Sequence, residues 1–261
     1  MGMQLYRTTR LTDGVWRIDE CGLSVMYLIE GDTQALAVDC GVGVGDYLSV
    51  IRTLTDKPVI PACTSGLIPC AGGRGQFKTL RIARPDAEDL LPRLSSLRRR
   101  VYAAQAKLCR SASVPSLLKM TFPTARREPM TMFLRQGDVI ELGGRTVDVI
   151  EAPGVTQGCL AFYLREEKLL LTGRAVGRVN NLYRRGGDTP RNLADSADRL
   201  AKLDFETALD GRRGDPVDRA LLEKVGACAQ AAAAKPASRL PLPSVEKRDG
   251  VLVVCRADKR A

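Results

Sequence analysis

Residues 25–77 constrain the fold most, because a strict order of short elements is written into them. Val25 to Glu30 and Ala35 to Asp39 are apolar runs rich in β-branched and aliphatic residues, separated by the turn pair Gly31-Asp32, and they predict two adjacent strands. The second ends in Cys40-Gly41-Val42-Gly43-Val44-Gly45, where alternate glycines suit a tight strand-to-helix turn. Tyr47, Val50, Ile51 and Leu54 then recur at helical spacing and predict a helix over 46–55. A further strand at 59–63 delivers the chain into a second loop, Thr64-Ser65-Gly66-Leu67-Ile68-Pro69-Cys70-Ala71-Gly72-Gly73. Strand, strand, glycine turn, helix, strand, loop is an α/β sequence.

The pattern resumes after residue 128. Val139 to Leu142, Thr146 to Ile150, Cys159 to Leu164 and Lys168 to Thr172 predict strands, with Gly143-Gly144 as a hairpin turn. Ser196 to Leu203 has an amphipathic helical pattern, a helix is expected over 216–234, and a last strand at 251–254. Between the halves, 85–128 differs. Pro85-Asp86 opens a helix, 90–110 is mostly helix formers interrupted at Pro92, and 111–129 breaks at Pro115 and Pro123. It is expected to be a helical insertion or lid on one domain spanning 1–261.

Loop 64–73 resembles the metal-binding loop of the metallo-β-lactamase superfamily, Thr-His-x-His-x-Asp-His-x-Gly-Gly. Asp39-Cys40-Gly41, Pro153-Gly154-Val155-Thr156-Gln157-Gly158, Gly173-Arg174 and Gly211-Arg212-Arg213-Gly214 match further landmarks of that superfamily, in order. The resemblance implies a four-layer αβ/βα sandwich, two mixed β-sheets packed face to face with helices outside. It also implies where metal ligands would stand. Ser65, Leu67 and Cys70 replace three His, Pro69 replaces the Asp, Val155 replaces another His and Arg174 replaces a bridging Asp. Arg212, or Arg213 by a one-residue ambiguity, replaces the last His. The chain contains no histidine at all.

Zinc and iron hydrolases need imidazole or carboxylate ligands to hold the metal and lower the pKa of its water. With Leu, Pro, Val and Arg at those positions, no metal and no other cofactor is expected, and a conventional metallohydrolase is excluded. The expected function is that of a degenerate, metal-free member binding a small anionic or apolar ligand in the former cleft, lined by Ser65, Leu67, Val155, Arg174, Arg212 and Tyr183. A natural branch turned to binding and a redesigned scaffold would carry the same sequence. The arginines are open to two readings: pairing with leftover carboxylates in a filled core, or forming an anion pocket through the guanidinium fork.

A second function class is a metal-independent enzyme with Cys70 as catalytic nucleophile or acid/base group, its thiol pKa lowered by the nearby arginines, which would also hold an oxyanion. Ser-His-Asp chemistry is excluded. The net charge of +10 suggests a third class, polyanion or nucleic-acid binding through Arg98-Arg99-Arg100, Arg126-Arg127, Arg184-Arg185 and Arg212-Arg213. The eight cysteines form no C-x-x-C pair, so a zinc finger or thioredoxin-like site is not expected. Neither a signal peptide nor a membrane span is evident, and a cytoplasmic protein without a membrane partner is expected.

Overall fold

The computed structural model describes residues 5–108, 122, 128–183, 186–235 and 243–256. Cys109, Pro115, Pro123, Arg126-Arg127 and Arg184-Arg185, together with most of the 85–128 insertion beyond its first helices, lie outside the described residues. The first sheet has seven strands in chain order: β1 (Tyr6–Thr12), β2 (Val15–Glu20), β3 (Val25–Glu30), β4 (Ala35–Val38), β5 (Val59–Ala62), β6 (Thr79–Ala83) and β7 (Met130–Leu134). Its first three pairings are antiparallel and the last three parallel. The second sheet runs β13 (Thr207–Asp210), β11 (Leu169–Gly173), β10 (Leu160–Leu164), β9 (Thr146–Glu151), β8 (Val139–Glu141). A smaller third sheet holds β12 (Val179–Asn181), β15 (Val251–Arg256) and β14 (Pro243–Arg248).

Side-chain alternation makes the layers. Successive residues of a strand point to opposite faces, so Val25, Tyr27 and Ile29 join Val147, Val149, Leu160, Phe162 and Leu164 in a core between the two large sheets. The intervening Met26 and Leu28 face outward, under Tyr47 and Ile51 of helix α1 (Tyr47–Arg52). On the far side, Ile150, Ala161 and Leu170 pack under α5 (Pro190–Ala201) and α6 (Arg219–Ala234). Two mixed sheets face each other with helices outside, as expected. Both α5 and α6 bury one stripe, for example Leu193, Ala197 and Leu200.

The element boundaries differ in instructive ways. α5 starts at Pro190 rather than Ser196, because the Thr189 hydroxyl caps the Asn192 amide and Pro190 fits the first turn. Asp218 caps α6 through the Leu221 amide, so that helix begins at Arg219 rather than at Pro216. The expected 46–55 helix is only six residues long, capped by Asp46. Residues 84–108 form three pieces: α3 (Arg84–Asp89), a 3-10 turn (Leu91–Arg93) and α4 (Ser96–Leu108), with Pro92 in the turn. No helix among the described residues is long and apolar enough to cross a membrane.

Candidate functional site

The loops that follow β4, β5, β9, β11 and β13 meet at one end of the sandwich, and close backbone approach sets their geometry. Gly173 ends β11 with φ 54°, and a Cβ there would lie 2.3 Å from Thr64 Cβ. Glycine is required on both counts. Its carbonyl accepts the Gly211 amide at 2.6 Å, so loop 64–73, Arg174 and loop 211–214 come together. One helical turn, α2 (Ile68–Ala71), carries Pro69 and Cys70.

Three buried carboxylates hold these loops, and each is already occupied. Asp39 accepts the Thr64 amide at 2.7 Å and the Thr64 hydroxyl at 3.0 and 2.9 Å. Burial pushes its pKa up to about 6, against those hydrogen bonds and the charge of Arg174. Asp86, on α3, accepts the Gly66 amide at 2.6 Å, the Thr156 hydroxyl at 2.7 Å and the Gly158 amide at 2.9 Å, and burial raises its pKa also. Asp210 accepts the backbone amides of Arg212, Arg213 and Asp215 at 3.0–3.1 Å.

A fourth, Glu20, lies behind the site. It accepts the amides of Val42, Gly43 and Val44 at 2.6, 2.8 and 2.8 Å, a cradle formed by the alternate glycines of 41–45. Gly41 has φ 67°, and a Cβ on it would lie 2.6 Å from Glu20 Oε2. Burial raises Glu20 to about 7 while the three amides and Arg99 pull the other way. The glycine string was legible in the sequence as a tight turn. Its role as a carboxylate cradle was not, since nothing near residue 20 marks that side chain as buried.

Leu67, Pro69, Val155, Arg174 and Arg212 line a cleft of about 340 Å3, walled on the other side by Leu90, Leu94 and Tyr102, with Arg93 and Arg98 also lining it. A second lobe of about 420 Å3 shares Tyr102, Arg174, Val179 and Arg212, and adds Arg178, Arg213, Asp210 and Asp215. Arg174 is buried, Arg212 partly so, and the Nε of each is shielded from solvent with no hydrogen-bond partner. Among the described residues neither guanidinium forms an ion pair. Of the two readings of the arginines, direct pairing with leftover carboxylates finds no ion pair here, although Asp39 and Asp210 still act on the Arg174 charge. Burial opposes the Arg174 charge, but Tyr102, Cys70, Asp39 and Asp210 outweigh it and raise its pKa. Burial and the charge of Arg174 lower Arg212 to about 10.

The other expected site residues fall elsewhere. Ser65 is buried beside the cleft without lining it; its hydroxyl donates to Cys70 Sγ at 3.2 Å and accepts the Leu67 amide at 3.3 Å. Cys70 is buried and its pKa is pushed well up rather than down, because burial and Asp39 outweigh Arg174 and the Ser65 and Thr64 hydroxyls. Tyr183 does not line the cleft; it is 39% exposed and its amide donates to Val254 O at 3.0 Å. Tyr102, which the sequence did not single out, takes the aromatic place in the wall. Of Arg98-Arg99-Arg100, Arg99 is buried and donates to Gly72 O at 3.1 Å, so the run is not one solvated face.

The residues at the implied metal positions do not fit a metal. They offer one hydrogen-bonded thiol, one hydroxyl and two guanidinium groups, and a cation placed among them would meet positive charge. Among the described residues no group of three His, Cys, Asp or Glu is placed to hold one.

No protein-family model matches the chain. It is 25% identical over 191 residues to the human acyl-coenzyme A thioesterase MBLAC2, covering 67% of each. Among solved structures it resembles a metallo-β-lactamase family protein from Thermus thermophilus, with TM-score 0.59 and 20% identity over 90% of this chain and 85% of that one. A metallo-β-lactamase from Pontibacter korlensis aligns with TM-score 0.60 and 15% identity, covering 86% of this chain and 99% of that one.

Proposed function

We propose that this chain, which has the metallo-β-lactamase fold, is a metal-free member that binds an anionic ligand with an apolar tail in the cleft between Arg174, Arg212 and α4. One observation carries the reading: two shielded Nε–H groups, on two guanidiniums close enough that one lowers the pKa of the other, lack any acceptor. An unpaired shielded donor is costly, and an anion seated between the two would supply both the acceptor and the missing charge. The apolar lobe, with Leu67, Leu90, Leu94 and Val155, suits an acyl or alkyl chain.

The sequence similarity to an acyl-coenzyme A thioesterase supports the same ligand class, an acyl group next to a carboxylate, phosphate or thioester head. At the positions that the family resemblance assigns to metal ligands, this chain has residues that neither hold a metal nor activate water. Binding without hydrolysis is therefore the function we assign. Cys70 is not placed to replace the metal, since a buried thiol with a raised pKa is a poor nucleophile.

Calorimetric titration with octanoate, octyl phosphate and octanoyl-coenzyme A, beside octanol, tests this. Octyl phosphate or octanoyl-coenzyme A should bind, octanol should bind at least about tenfold more weakly, and no coenzyme A thiol should be released. Equal affinity for octanol, or near-stoichiometric zinc or iron by plasma mass spectrometry, would overturn the reading.

A further inference from the structure

Leu97 and Val101 lie one turn apart on α4, 68% and 47% exposed, although they are large aliphatic residues on a helix that borders the cleft. Side chains four apart share one face of a helix, so the two form a single apolar ridge. Basic residues flank it. Arg98 and Arg100 are exposed beside the ridge, Arg93 lies just before the helix in an ion pair with Asp89 at 3.6 Å, and the Arg100 guanidinium lies 5.8 Å from the Phe122 ring centroid. Tyr102, on the same helix, faces into the cleft.

The helix itself is one-sided in charge: Ser96–Leu108 contains Arg98, Arg99, Arg100 and Lys107 and neither Asp nor Glu. A protruding aliphatic ridge set among positive charges is chemically complementary to an anionic lipid surface, where phosphates meet the guanidiniums and acyl chains receive the ridge. Nucleic acid would satisfy the charge but not the ridge, because a phosphate backbone offers Leu97 and Val101 no apolar partner, and the Phe122 ring beside Arg100 is partly buried.

We propose that α4 is a docking face for an anionic membrane surface, with Leu97 and Val101 entering the lipid interface and the flanking arginines on the headgroups. No described helix is long and apolar enough to cross a membrane. A helix lying on a surface needs neither that length nor that apolarity. The docking face does not depend on which ligand occupies the cleft. It does set the cleft mouth, bounded by Arg98 and Tyr102, beside the lipid.

Flotation of the purified protein with phosphatidylcholine vesicles, with and without phosphatidylserine, at low and high salt, tests the proposal. Flotation is expected only with phosphatidylserine, and is expected to weaken steeply with salt. The double variant Leu97→Asp/Val101→Asp should partition about tenfold or more weakly, with an unchanged melting temperature because both side chains are exposed. A separate Leu97→Trp variant should show a blue-shifted fluorescence maximum on phosphatidylserine vesicles. Three results would each overturn it: no flotation at low salt, undiminished flotation of the double variant, or nucleic-acid binding in the absence of vesicle binding.

Discussion

Asp86 Oδ2 accepts the Thr156 hydroxyl at 2.7 Å, across 70 residues of chain. The same carboxylate takes the Gly66 and Gly158 amides, so it ties the loop after β5 to the loop after β9, and both border the cleft. Asp86→Ala would leave three buried donors without their acceptor and should destabilise the fold by about 3 kcal/mol or more. Asp86→Asn, which keeps one oxygen, should cost less. Urea unfolding midpoints check this; a midpoint equal to wild type in the alanine variant would show that the tie contributes nothing to stability.

Glu20 and Asp39 set a dependence on pH. Burial raises Glu20 to about 7 and Asp39 to about 6, above their unfolded values, so each binds its proton more tightly when folded. Their contribution is fully present below the unfolded pKa, near pH 4, and is lost as pH rises through about 6 and then about 7. Each shift corresponds to about 3 kcal/mol. Glu20→Gln cannot titrate. The melting temperature of wild type minus that of Glu20→Gln should therefore fall between pH 4 and 8, and a constant difference would refute the assignment.

Arg174 and Arg212 should be more useful to ligand than to fold. Arg174→Met removes a buried charge whose Nε has no partner but which Asp39 and Asp210 favour, and should change stability by no more than about 1–2 kcal/mol. The same substitution should weaken octyl phosphate binding at least about tenfold. Thermal melts with and without that ligand report both effects. Loss of stability without loss of affinity would assign Arg174 to the framework instead.

Cys70 should be slow to modify. Its thiol is buried and its pKa raised, whereas Cys21 is partly exposed. At neutral pH a maleimide should label Cys21 well before Cys70, and Cys70 should react only on denaturation. Peptide mapping separates the two. Rapid labelling of Cys70 in the folded protein would restore it as a candidate nucleophile.

The legible parts of the fold were those with a local cause. Val147, Val149 and Ile150, or Val25 to Ile29, carry the two-residue alternation of a strand within their own span, and Asp46, Thr189 and Asp218 cap helices a few residues away. β1, β7 and β14 escaped the sequence analysis because they are largely exposed strands, polar or unpatterned, and exist through pairing with a neighbour. β6 and β12 are only five and three residues long. Within the site, Leu67, Val155, Arg174 and Arg212 meet where the loop resemblance implied. Tyr102, Leu90 and Leu94 join them only because α4 and the turn before it face back across the cleft.

The sequence by itself determined the layered α/β plan, for which short-range periodicity suffices; that arginine, leucine, proline and valine stand at metal-ligand positions is what the loop resemblance implies. Whether Arg174 and Arg212 would be neutralised was decided only by the tertiary structure. Asp39 and Asp210 act on the Arg174 charge, yet Asp39 accepts the Thr64 amide and hydroxyl and Asp210 Oδ1 accepts the amides of Arg212, Arg213 and Asp215, and among the described residues neither forms an ion pair with a guanidinium. Thr64 lies 25 residues from Asp39, and only the folded backbone determines which donors reach a carboxylate.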